Sequence, residues 1–163
     1  MNRIKLSLCL FTLPVIASWA QKVTLNPTIT PTLFHYNDQI TVTYDVTGTS
    51  LANLTAAYIW VWIPGNTAIN AQYNVTPASS NPTLTNNAKF TKSLTGGKTL
   101  FTLTFTPSGF FTTDISSQTQ IGMLLKGNDW PDGQTTDYVN SFLIGNTFQV
   151  QLTSPSQQPL FAT

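Results

Sequence analysis

Ala57-Tyr58-Ile59-Trp60-Val61-Trp62-Ile63 is apolar on both faces of an extended chain. Successive strand side chains point to opposite sides, so Ile59, Val61 and Ile63 face one way and Tyr58, Trp60 and Trp62 the other. Such a segment suits a central strand covered on both sides, and Pro64-Gly65 ends it. Working outward, residues 39–46 alternate strictly: Ile40, Val42, Tyr44 and Val46 turn inward, Thr41, Thr43 and Asp45 turn to water. Residues 89–94 and 99–106 flank Thr95-Gly96-Gly97-Lys98, a connection that closes a β-hairpin. In the second of these strands Phe101, Leu103 and Phe105 face the core.

Further strands are expected at residues 22–25, 121–126 and 138–144, with a turn at 128–133 and a helical turn or crossover within 107–117. The polar stretch 66–87 reads as a long loop with room for a short edge strand, and no helix of useful length is expected. Together these segments predict an all-β fold, an immunoglobulin/fibronectin-III-like antiparallel β-sandwich of about seven strands.

At the N-terminus, Arg3 and Lys5 precede an apolar run over residues 6–17, followed by the small residues Ser18 and Ala20. This is the pattern of a signal peptide over residues 1–20, cut between Ala20 and Gln21. The apolar run is shorter than the roughly 20 residues a membrane span needs, so no membrane insertion is expected after cleavage. Cys9, the only cysteine, lies inside that run and follows Leu8 rather than a small residue late in the run, which argues against a lipoprotein anchor. The mature chain is then expected to carry no thiol for disulfide, metal or nucleophilic chemistry. The sandwich domain is expected over residues 21–146. Phe148-Gln149-Val150-Gln151-Leu152-Thr153 echoes Lys22-Val23-Thr24-Leu25, and residues 147–163 read as a linker and the start of a truncated second β-domain.

Charged residues make up only 8% of the chain, and Thr, Asn and Ser take their place. Without Arg3 and Lys5, five lysines stand against six aspartates. A basic stripe is therefore absent, and nucleic acid is not an expected partner. His35 is the only histidine and sits between Phe34 and Tyr36, so a loop role is favoured over that of a base in a triad.

Two clusters are candidate sites. Tyr58, Trp60 and Trp62, extended by Trp130, form an aromatic stripe of the kind that stacks on sugar rings, with surrounding amides and hydroxyls to take the ring hydroxyls. The competing reading is packing beneath the 66–87 loop or against a neighbouring domain. Gly127-Asn128-Asp129-Trp130-Pro131-Asp132-Gly133 crowds carboxylates and an amide into one turn, so Asn128, Asp129 and Asp132 are candidate calcium ligands. The spacing is not that of an EF-hand, and Asp and Gly also favour tight turns for conformational reasons alone.

Tyr58-Ile59-Trp60-Val61-Trp62, the run Phe105-Thr106-Pro107-Ser108-Gly109-Phe110-Phe111, and Ile121-Gly122-Met123-Leu124-Leu125-Lys126-Gly127-Asn128-Asp129-Trp130 with Asp132-Gly133-Gln134 resemble the N-terminal β-sandwich of large secreted Bacteroidetes proteins. The resemblance covers residues 21–145. It implies a layout in which further immunoglobulin-like modules and a C-terminal sorting domain for type IX secretion follow, in some cases with an amylase-like or other hydrolase domain. Neither a hydrolase nor a sorting domain is recognisable in these 163 residues.

The expectation is accordingly a non-catalytic accessory or spacer module of a secreted or cell-surface bacterial protein, without a resident cofactor and with neighbouring domains as its partners. The first alternative is a carbohydrate-binding module for an α-glucan-type polysaccharide. A small secreted hydrolase is the weakest reading, since the residue inventory is thin.

Overall fold

The computed structural model describes residues 22–143. The signal-peptide and cleavage assignments, Cys9 and the 147–163 segment lie outside them. Among the described residues nine strands form two sheets. The first contains β2 (Thr28–Thr30), β3 (Ile40–Asp45), β6 (Lys98–Phe105) and β5 (Thr91–Thr95), in the order β2-β3-β6-β5. The second contains β1 (Lys22–Val23), β8 (Gln134–Thr135), β7 (Gln120–Lys126) and β4 (Tyr58–Trp62), with β9 (Tyr138–Ser141) also on β7.

Taken in chain order these occupy seven strand positions, because the first position is split into β1 and β2 and the last into β8 and β9. A four-stranded first, second, fifth, fourth arrangement facing third, sixth and seventh is the immunoglobulin constant-type sandwich. The chain switches sheets between β1 and β2, so β1 lies parallel to β8 while every other pair is antiparallel.

Alternation decides which side chains enter the core. Ile40, Val42 and Tyr44 of β3, Phe101 and Phe105 of β6, Ile59 and Val61 of β4, and Ile121, Met123 and Leu125 of β7 are all buried between the sheets. On the outside of the four-stranded sheet, Thr28, Thr43, Thr102 and Thr91 stand in one register line across four strands, and Thr30, Thr41 and Thr104 in a second across three. The Thr41 and Thr104 hydroxyls meet at 2.8 Å, and those of Thr43 and Thr102 at 3.3 Å. Cross-strand Thr pairs of this kind stabilise a ladder.

The β5–β6 hairpin turns on Gly96 and Gly97, both in the left-handed region (φ 59° and 76°), as a two-residue type I′ turn requires. Between β8 and β9 the last strand carries one residue more than β7 does between the matching pairs Lys126–Gln134 and Met123–Tyr138. This is a β-bulge. The Thr135 hydroxyl fills the gap by accepting from the Leu125 N–H at 3.0 Å.

The 66–87 region departs from the sequence reading. Its first half is the expected loop, bridged once to the sandwich at Ala71–Phe111, but its second half holds a 3-10 turn (Ala78–Ser80) and a seven-residue helix, α1 (Pro82–Ala88), that the sequence reading lacked. Asn81 caps α1 and Pro82 occupies its first turn, where a missing N–H costs nothing. Ala88 and Thr85 turn inward. Pro107–Phe110 forms the short helical turn expected there.

Candidate functional site

The β4–β7 register builds the outer face of the second sheet: Tyr58 faces Lys126, Trp60 faces Leu124 and Trp62 faces Gly122. With no side chain at Gly122, the Trp62 indole lies directly on the β7 backbone. Trp130 enters from the turn after β7, its ring 4.9 Å from that of Trp60 and tilted by 59°. Trp60, Trp62 and Trp130 wall a groove of about 380 Å³, with Leu124 beneath and Gln134, Lys22 and Asp137 at the rim. The two rim charges pair with each other at 3.7 Å, both about half exposed.

A second groove of about 520 Å³ lies on the other flank of β4. Trp60 and Trp62 line it too, opposite Asn66, Thr67, Asn70 and Asn74. Open space lies between the loop and the indoles here, and both indoles remain partly exposed. It is tied down at the strand edge: Asn74 Oδ1 accepts from Val61 N–H at 3.0 Å, and Asn74 Nδ2 donates to the Val61 carbonyl. One amide thus imitates a neighbouring strand and closes the free edge of β4.

Tyr58 is separated from the groove. Its ring faces Lys126, whose ammonium lies 5.9 Å from it and 5.2 Å from the Trp130 ring. Lys126 is only 1% exposed, and its Nζ donates to the Gly127 and Asn128 carbonyls at 3.1 and 3.0 Å. Burial pushes its pKa down, partly opposed by the charges of Asp129 and Asp132. Such stacking between a cation and two rings holds Trp130 in place. The 77–79 turn docks beside this end of β4, with Ala78 N–H donating to the Asn128 carbonyl at 2.8 Å and Ser79 N–H to Asn128 Oδ1 at 2.9 Å.

The acidic turn forms a reciprocal cap. Asp129 Oδ1 accepts from Trp130 N–H at 2.7 Å, and Asp132 Oδ2 accepts from Asp129 N–H at 2.8 Å, at the start of the 3-10 turn Trp130–Asp132. The three residues named as calcium ligands therefore direct side-chain oxygens at backbone N–H groups, Asn128 toward Ser79 and the two aspartates toward their own turn. Among the described residues no group of three or more His, Cys, Asp or Glu is placed to hold a metal ion. His35 and Asp38 close a turn: Asp38 Oδ2 accepts from His35 N–H at 2.7 Å and lies 3.2 Å from His35 Nδ1. The backbone bond from His35 is the chief reason the Asp38 carboxyl sits below its ordinary pKa.

Of the four aromatics singled out in the sequence, three meet in the groove and Tyr58 does not. Leu124, Gln134, Lys22 and Asp137 were missed on one flank, and Asn66 and Asn70 on the other. Alternation in residues 121–126 places Leu124 outward, but its position beside Trp60 depends on register, which pattern alone does not carry. No protein-family model matches the chain and no curated protein is significantly similar to it.

Proposed function

We propose that the chain is a non-catalytic β-sandwich module of a secreted or cell-surface bacterial protein, and that its outer sheet face binds carbohydrate. One observation carries the reading: Trp60 and Trp62 stand side by side, partly exposed, as the shared wall of two open grooves. A cover of loop over the indoles would have removed any platform for a sugar ring. Aromatic faces with a few convergent amides suit a polyhydroxylated ligand, for which no charge is needed. An α-glucan-type polysaccharide is the ligand class put forward, and neighbouring domains of a longer protein are the other partners.

The plain spacer reading keeps one observation in its favour. Trp130 tilts 59° from Trp60 where a flat platform would set the rings coplanar, and such tilted pairs are ordinary packing. Affinity electrophoresis through starch, cellulose, chitin and pectin separates the two. Retardation on a neutral polymer, lost in Trp60→Ala and Trp62→Ala, is expected, and free migration on all four would leave the module as a spacer. No observation favours the hydrolase alternative. Export is tested by expression with residues 1–20 in place: N-terminal sequencing of the exported protein should begin at Gln21.

A further inference from the structure

The two grooves share a wall. Trp60 and Trp62 project from the same face of β4, about 6.6 Å apart along the strand. One groove opens from them toward β7, β8 and β1, the other toward the 65–74 loop. We infer that the grooves are two halves of one track, and that it takes an internal stretch of an extended, neutral glycan chain running across β4, not a chain end or a short sugar. The inference rests on the carbohydrate reading and goes beyond it in ligand length, charge and direction.

Three features support it. First, each groove alone falls in the range of about 300–1,000 Å³ that holds a small ligand, so both filled together hold several sugar units. Second, each flank carries an uncommitted amide. Gln134 on one side and Asn70 on the other make no side-chain hydrogen bond within the described residues. An amide both donates and accepts, as a sugar hydroxyl does. Asn74, by contrast, is spent on Val61. Third, the face offers no net charge: Lys22 is paired with Asp137, Lys126 is buried beneath two rings, and the second groove is lined by no charged residue. An anionic polymer would enter without a compensating cation.

Isothermal titration with maltose and maltoheptaose, cellobiose and cellohexaose, and oligogalacturonate as the anionic control tests this on the whole chain. The longer neutral oligosaccharide should bind at least about tenfold more tightly than its disaccharide, and the anionic control not at all. Gln134→Ala and Asn70→Ala, on opposite flanks, should each weaken the longer ligand by about five- to tenfold, with melting temperatures unchanged because both side chains are free of internal bonds. Equal affinity for disaccharide and longer chain, or a silent variant on either flank, would confine the ligand to one groove and overturn the track while leaving the carbohydrate reading intact. No binding in any series would overturn both.

Discussion

Replacing Gly122 with Val tests the seating of the aromatic site. A Cβ built on Gly122 falls 2.5 Å from both Cζ2 and Nε1 of Trp62 and nearer still to Cε2. Carbon contacts are comfortable at about 3.5–4.0 Å, so the indole has to withdraw by more than about 1 Å. The β7 backbone is held by ladders to β4 on one edge and β9 on the other, so the side chain yields before the strand does. A tryptophan buries about 150–250 Å². Releasing roughly 80 Å² of that at about 25 cal/mol/Å² costs ~2 kcal/mol, within the range of about 1–3 kcal/mol for overpacking. The melting temperature should fall by roughly 6–12 °C. Native-state tryptophan emission should shift to the red as the Trp62 indole enters water, and retention on polysaccharide should be lost although Gly122 itself offers nothing to a ligand. If Gly122→Val melts with the wild type and its emission is unmoved, the close contact of Trp62 with the β7 backbone is wrong.

Asn74→Ala strands the N–H and carbonyl of Val61 at the strand edge and should cost about 1–3 kcal/mol; faster hydrogen exchange at the Val61 amide is the direct readout, and unchanged protection would refute the bridging role. Asp129→Ala removes the cap of the 130–132 turn and should cost ~1 kcal/mol in a denaturant titration. Calcium should leave the wild-type melting temperature where it is, whereas a rise that Asp129→Asn abolishes would establish a metal site there. The Asp45 carboxyl is lowered to about 2, first by the Thr47 hydroxyl at 2.6 Å and next by Lys98 at 2.9 Å. A depressed carboxyl stabilises the fold fully above its ordinary value of 3.8, and that contribution drains away as the pH falls from there to about 2. Melting curves of Asp45→Asn should be flatter than wild type across this window and parallel to it above.

Strands with a clean two-residue period were legible from the chain alone. Residues 39–46 and 57–63 predicted β3 and β4 to within a residue at each end, with the inward and outward sets as observed. Gly96-Gly97 marked its hairpin because the turn needs left-handed backbone twice in succession. What escaped were elements too short to show a period. β2 lies in a Pro/Thr-rich stretch just past the strand expected at 22–25, and α1 has seven residues, only two of them buried. Asn81-Pro82 is a helix-start signal in hindsight, but the polar Thr and Asn residues after it mask the apolar face. The site was half legible for a related reason. Composition identifies indoles facing outward, whereas the partners that shape the grooves arrive from β1, β7, β8 and the 66–74 loop through register and bulge.

The hydroxyl rungs on the four-stranded sheet bear on where such a protein can work. Surfaces covered by lysine and glutamate alter their internal repulsions and attractions with every change in ionic strength, since dissolved ions screen charges over distances of about 10 Å. Threonine has no charge to screen, and the rungs Thr41–Thr104 and Thr43–Thr102 connect neighbouring strands directly. Brine and fresh water therefore meet nearly the same surface along these rungs, and the exposed Lys98–Asp45 pair at the end of the sheet is the part that dissolved ions can weaken.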